Sequence, residues 1–243
     1  MTNTKTIEVA GLAVELVRKN IKNLHIGVYP PAGHVRVAAP PSIGDDAVRV
    51  AVLTKLSWVK AKQLEFANQE REAIRRYVSG ETHFVFGNAR RLQVNSGDAR
   101  RHRIELPPGD RLVFSVPKDS NQIQRAAWLE GWYRTELKEK VKPRIEKWVQ
   151  RLGVAVPRWG VRRMKTKWGS CNPEKSIIWV NSELAKKPLI CLDYVILHEM
   201  AHFISPRHDE EFIRVLDLHM PNWRQIRSDL NALPLSFEAS FEI

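Results

Sequence analysis

The sequence predicts an α+β protein. An N-terminal strand-and-helix portion with antiparallel strands is expected over residues 1–118, and a C-terminal catalytic portion, opened by a long helix and carrying a short sheet, over residues 119–243. Three observations predict it. Short runs alternate apolar and polar residues between Gly and Pro breaks, which is the strand pattern. Longer stretches repeat apolar residues every three or four positions, which is the helix pattern. The composition, 43% hydrophobic and 27% charged, is that of an ordinary soluble globular chain.

The elements follow in order. Leu24 to Tyr29 and His34 to Ala39 alternate around Pro30-Pro31-Ala32-Gly33 and read as a hairpin. Residues 45–77 change period: Val48, Val52, Leu56, Trp58, Val59 and Leu64 mark the apolar stripe of one amphipathic helix. Strands return over residues 83–116, broken at Gly87-Asn88, Ser96-Gly97-Asp98 and Pro107-Pro108-Gly109-Asp110, and read as a meander with one wet and one dry face. A helix over residues 121–152 carries Ala127, Leu129, Trp132, Tyr133, Leu137, Val141, Ile145, Trp148 and Val149 on its core face, with Pro143 as a candidate kink. Two strands, 159–164 and 177–181, flank Lys167-Trp168-Gly169-Ser170-Cys171 and a turn at Asn172-Pro173. Helices over 189–204, 209–219 and 222–231 finish the chain. No internal repeat of 20–50 residues is visible in the sequence.

Composition excludes several classes. The 12 Gly and 14 Pro among 243 residues do not fit a collagen-like or low-complexity chain. No run of about 18 uncharged apolar residues predicts a membrane span. The first residues lack the long apolar region of an export signal, so a cytoplasmic protein with Cys171 and Cys191 reduced is expected. The net charge of +12 is uneven: +10 over residues 1–150, +7 over 151–187 and −5 over 188–243. A basic surface leaves a nucleotide or nucleic-acid partner open.

The chemistry sits at His198-Glu199-Met200-Ala201-His202, an H-E-x-x-H motif. Residues four apart share one helix face, so two imidazoles can grip one Zn2+ ion while the glutamate reaches water polarised by it. The apolar flanks, Leu192, Val195, Ile196, Leu197, Met200, Phe203 and Ile204, predict a buried helix. A catalytic zinc takes a third protein ligand. His208 lies six residues past His202, neither one helical turn nor two, so the chain must turn back to deliver it. Pro206 supplies the break, because it disfavours helical geometry at Ser205. Metzincins share this interval with a glycine where Ser205 stands, so the turn here must be built differently. His219 is roughly 16 Å beyond His208 on a helix and too far for the same ion. Glu211, one turn from His208, is a candidate to hydrogen-bond a metal ligand or to be a rival carboxylate ligand. The metal ligands predicted are therefore His198, His202 and His208, and the catalytic residue is Glu199.

Taken together, Lys167-Trp168-Gly169-Ser170-Cys171, Ile178-Trp179-Val180-Asn181, the stretch from Tyr194 to His202, His208-Asp209-Glu210-Glu211-Phe212 and Met220-Pro221-Asn222-Trp223 resemble the YgjP-like metallopeptidase family, akin to SprT-type zinc proteases. The resemblance covers nearly the whole chain. It implies a zincin-like catalytic portion, one Zn2+ held by His198, His202 and His208, Glu199 as general base, and a peptide or protein substrate. Some members are described as nucleotide pyrophosphatases, so a metal-dependent nucleoside triphosphate pyrophosphatase stays open. A nucleic-acid-associated module with secondary protease chemistry is the third reading.

Other expectations concern the surroundings of the motif. The strand over residues 177–181 is a candidate to receive an extended peptide by edge pairing, against an internal strand with no free edge. Arg163, Lys165, Lys167 and Arg207 are candidate partners for a developing oxyanion. Trp168 and Cys171 read as core, and Phe212 and Trp223 as packing residues of the terminal helices.

Overall fold

The computed structural model describes residues 3–29, 32–68, 74–97, 101–164 and 167–233. The chain divides into two compact units. The first has residues 3–68 as its described part, and the second is Ile74–Leu233. Pro30, Pro31, Asp98 and Lys165, which entered the sequence reading as turn residues or as a cation, lie outside the described residues.

The first unit opens with β1 (Asn3–Val9), β2 (Leu12–Arg18), β3 (His25–Tyr29) and β4 (His34–Ala39). β3 and β4 pair antiparallel, as the hairpin pattern predicts. β1 and β2 form a hairpin that the sequence reading did not resolve. Its two-residue turn, Ala10 at φ 50 and Gly11 at φ 75, has the left-handed backbone that matches strand twist. The sheet order is β1-β2-β4-β3, and β2 runs parallel to β4. The single helix expected over 45–77 is two helices, α1 (Asp45–Thr54) and α2 (Leu56–Asn68), interrupted at Lys55. Val48, Val52 and Val59 are buried, whereas Trp58 and Leu64 of the expected stripe are exposed. Tyr77, at φ 58, is in the left-handed region and cannot continue a helix. The core of this unit is the inner sheet face, Val14, Leu16, Val35 and Val37 among others, covered by those three valines.

The second unit repeats the layout. β5 (Thr82–Val85), β6 (Asn88–Gly97), β7 (Arg103–Glu105) and β8 (Arg111–Pro117) form a sheet ordered β5-β6-β8-β7, with β6 parallel to β8. The meander reading is corrected accordingly: β7 sits at the edge and β8 returns inside it. The β5–β6 turn is again left-handed, Phe86 at φ 48 and Gly87 at φ 83. α3 (Gln122–Leu152) follows, starting where the sequence reading put it. Asn121 and Gln124 form a reciprocal capping box, and Gly153 ends the helix in the left-handed conformation. Leu129, Tyr133, Leu137, Val141, Ile145 and Trp148 form its buried stripe. Pro143 lies inside the helix on an exposed position, and the helix continues through it.

A third sheet carries β9 (Arg158–Arg162), β10 (Gly169–Asn172) and β11 (Ile177–Asn181), ordered β10-β11-β9. A 3₁₀ turn (Ser182–Lys186), α4 (Leu189–Ala201), α5 (Glu210–His219) and α6 (Trp223–Ala232) complete the unit. The α+β class holds. The strands expected to be antiparallel throughout include one parallel pair in each of the three sheets. Strands 82–117 share one hydrophobic cluster with α3 and α4, so they belong with the site-bearing unit. The break in packing falls at residues 73/74, where the expected boundary was 118/119. The reason is physical: the inner face of that sheet (Leu92, Leu112, Phe114) is buried in the same cluster as the α3 stripe.

Candidate metal centre

α4 is largely apolar and buried over most of its surface. Cys191, Leu192, Tyr194, Val195, Ile196, Leu197, Met200 and Ala201 are inside. It is held from one side by α3, where Arg144 Nε sits 3.2 Å and Lys147 Nζ 3.9 Å from the Asp193 carboxylate. The tip of the β5–β6 hairpin holds the turn before it, with Phe86 N–H donating to Ala185 O at 2.8 Å and Gly87 N–H to Lys186 O. A Cβ on Gly87 would come within 2.9 Å of Pro188, so that approach needs glycine.

The helix ends earlier than the 204 expected. His202 is its C-cap residue and Phe203 and Ile204 form a turn. Ser205 builds the reversal that a glycine builds in metzincins. Ser205 is 3% exposed. Its Oγ donates to the Asp209 carboxylate, 2.8 and 2.9 Å from the two oxygens, and lies 3.2 Å from Arg207 O. Asp209 Oδ1 also accepts from Phe212 N–H at 3.0 Å and caps α5.

This turn delivers His208 to the H-E-x-x-H face. Ligand atoms of His198, His202 and His208 lie within 4.8 Å of one another, and His198 Nε2 is 3.2 Å from His208 Nε2. His202 Nδ1 meets Ser205 O at 3.3 Å, which places its proton there and leaves Nε2 as a lone-pair donor. Burial, then the charges of His202, His208 and Arg227, push the His198 pKa down to about 3. Burial likewise lowers that of His202, although the Ser205 carbonyl opposes it. Imidazoles kept neutral in this way are the form that binds metal. Phe212 packs on all three rings at 5.0, 4.8 and 4.6 Å between centroids. The sequence reading missed this role, because position 212 reads only as a helix core residue.

Glu199 faces β10 and is 7% exposed. Burial raises its pKa to about 7, while the charge of Lys167 and the backbone N–H of Cys171 pull the other way. β10 can approach so closely because position 169 is glycine. A Cβ there would stand 2.6 Å from Glu199 Oε1, 2.7 Å from its Cγ and 2.9 Å from Val195 Cγ1. The loop ahead of β10 is pinned by buried Asn181, whose Nδ2 donates to Met164 O and Lys167 O at 2.9 and 2.7 Å.

The remaining expectations sort as follows. β11 is paired to β10 on one side and β9 on the other, so of the two readings weighed for it the internal strand holds. β10 is the edge strand on that side. Lys167 acts on both Glu199 and His202. Arg163 pairs instead with Glu130 at 3.9 Å. Arg207 contributes its carbonyl to the turn. Arg227, which the sequence reading did not single out, acts on His198 and on Tyr194. Tyr194 stands edge-on to His198 and stacks on Trp223. Glu211 is exposed and outside the histidine cluster, and His219 packs edge-on against Trp148. Trp168 is half-buried, with Nε1 donating to Asn231 at 3.3 Å. Cys171 is a half-buried free thiol whose pKa burial, with the Glu199 charge, pushes up to about 12. No helix among the described residues is long and apolar enough to cross a membrane. An open groove of about 610 Å3, lined by His208, Asp209, Glu210, Ile213, Arg214 and Asp217, runs along α5 beside the cluster.

The family model described as YgjP-like, metallopeptidase domain, matches residues 22–233. No curated protein matches the chain. Two solved structures are similar over part of it. The metallopeptidase zymogen of Pyrococcus abyssi abylysin is 19% identical, covering 37% of this chain and 90% of its own, with a TM-score of 0.35. That of Methanocaldococcus jannaschii jannalysin is 21% identical, covering 37% and 92%, with a TM-score of 0.35.

Proposed function

The chain belongs to the YgjP-like metallopeptidase family, and from that premise we propose that it hydrolyses peptide bonds with one Zn2+ held by His198, His202 and His208 and with Glu199 as general base. The observation that carries this reading is the convergence of the three imidazoles beside a buried carboxylate. Two nitrogens bound to one tetrahedral zinc are about 3.3 Å apart. The 3.2 Å between His198 and His208 fits that bite. Three ligands also leave a fourth position open, as catalytic sites do.

When bound, the ion supplies Lewis-acid polarisation of water and of the scissile carbonyl. The protein's own groups do the rest. Glu199, poised near neutrality by burial, takes the proton of the attacking water and passes it to the leaving amine. Phe212 and the apolar α4 walls shield the His198 and Glu199 side of the centre from bulk water, which strengthens these charges. Lys167 is placed to oppose negative charge developing beside Glu199. An extended peptide pairs with the outer edge of β10, which puts its backbone along the Glu199 side of the centre.

The test is a substrate screen of zinc-loaded wild type and Glu199→Gln on peptides and on nucleoside triphosphates, each with and without chelator. Peptide cleavage that chelator abolishes, and that Glu199→Gln loses while still binding zinc, is expected. Unchanged turnover in Glu199→Gln overturns the general-base role. Activity on nucleotides alone overturns the peptide reading.

A further inference from the structure

We propose that Ser205 and Asp209 form a clamp that fixes the bite of the three-histidine centre and thereby sets its metal affinity. The proposal rests on the reading of that centre as a metal site. The spacing from His202 to His208 demands a reversal, and the residue at its pivot is neither glycine nor exposed. It is a serine with 3% of its surface accessible. A buried hydroxyl must find a partner. Here the partner is the residue immediately after the third histidine.

The connections run through one residue in both directions, its backbone carbonyl on the His202 side and its hydroxyl on the Asp209 side. Ser205 O receives His202 Nδ1 at 3.3 Å, which orients the second histidine. Ser205 Oγ donates to Asp209, which fixes the backbone next to His208. Asp209 Oδ1 accepts from Phe212 N–H, and the Phe212 ring touches all three imidazoles. By contrast, His198 Nδ1 is buried without a hydrogen-bond partner among the described residues. Orientation of the ligand set through hydrogen bonds to the second ring nitrogen therefore depends on Ser205 at His202 and has no counterpart at His198. Partners of this kind hold a ligand's tautomer and direction, and their loss weakens metal binding about 10–100-fold. Ser205 and Asp209 are positioning residues, since neither is placed among the ligands.

The experiment measures zinc affinity by competition with a chromophoric chelator. The visible absorption of the cobalt-loaded protein is the second readout, and metal-free melting temperature is the control. The full chain is used as wild type, Ser205→Ala, Asp209→Ala, Asp209→Asn and the Ser205→Ala/Asp209→Ala double variant. Ser205→Ala keeps the carbonyl that meets His202 and loses the hydroxyl link that holds the turn to Asp209; it and Asp209→Ala should each weaken zinc binding by about 10-fold, the low end of the range for lost ligand-orienting contacts, and alter the cobalt spectrum. Asp209→Asn keeps an acceptor for both Ser205 Oγ and Phe212 N–H, and should bind zinc within about threefold of wild type. The double variant should bind little worse than the weaker single one, because both break the same link. Ser205→Ala removes one atom from the turn and leaves the α5 cap in place, so it tests the clamp even if Asp209→Ala folds poorly. Lower metal-free melting with wild-type affinity and spectrum overturns the clamp alone. A wild type that binds no zinc overturns the metal reading and the clamp with it.

Discussion

The two four-stranded sheets of this protein are built to one plan and do different work. Both run hairpin, far edge strand, returning strand, so that β1-β2-β4-β3 and β5-β6-β8-β7 have the same order and the same single parallel pair. Both open with a two-residue left-handed turn, Ala10-Gly11 and Phe86-Gly87. They part at the helix that follows. In the first unit it is interrupted at Lys55 and starts at Gly44 without a side-chain cap. In the second it runs 31 residues from a capping box and buries six side chains against the site-bearing elements. The comparison teaches that the sheet plan itself carries no chemistry. The second unit brings three histidines together at the end of α4, on a segment that its hairpin tip and long helix both brace.

Paired substitutions sharpen or break that contrast. The largest effect is expected at glycine. Gly169→Ala drives a Cβ into Glu199 and should lower kcat about 100-fold or more, the scale of general-base catalysis, with zinc affinity kept. Gly11→Ala strains a left-handed turn with open space around it, and should cost about 1 kcal/mol of stability with turnover unchanged. Steady-state kinetics and denaturant titration on both read the difference; a kcat loss at Gly11 would break it.

Core truncation comes next. Leu137→Ala, in the cluster shared by α3 and α4, should cost about 2–5 kcal/mol and weaken zinc binding. Val52→Ala, in the separate cluster of the first unit, should cost roughly 2 kcal/mol and leave the zinc dissociation constant unchanged. Equal shifts in zinc affinity would mean that the two clusters act as one.

Acidity should separate the units by sign. The folded protein holds the Glu199 proton up to about pH 7, against 4.5 for an ordinary glutamate. Its favourable contribution is full below that ordinary value and is lost as pH rises through 7. Metal-free Glu199→Gln should therefore match wild type in acid and exceed it by roughly 3 kcal/mol well above pH 7. Glu15 of the first unit behaves oppositely. Burial pushes its pKa up, but hydrogen bonds from Arg36 and His34 overcome that and lower it. Its contribution is present above the ordinary value and lost as pH falls, so Glu15→Gln should destabilise at neutral pH and converge with wild type in acid. Unfolding curves across pH check both directions.

The smallest effects are at the caps. Asn121→Ala should cost about 1 kcal/mol, whereas Gly44→Asn should stabilise α1 by a few tenths, since Gly44 has open space for the new side chain. Thermal melts of the two variants should move in opposite directions.

The sequence by itself determined the features whose physics is local. Four-residue spacing put His198 and His202 on one helix face, Pro206 forced the reversal before His208, and the apolar stripe over residues 121–152 marked the helix that is α3. Each depends on residues within a few turns of one another, so periodicity and backbone constraint suffice. The helix expected over 45–77 failed by the same standard, because the left-handed Tyr77 and the break at Lys55 left no mark in the apolar stripe. Tertiary structure alone decided which strands became neighbours, since β2 pairs with β4 and β11 lies inside its sheet through contacts between distant segments. It also decided that Gly169 clears the space for Glu199, that Phe212 lines all three imidazoles, and that the charge of Arg227 acts on His198. Those roles come from close approach across the fold, which depends on which surfaces pack and on no spacing along the chain.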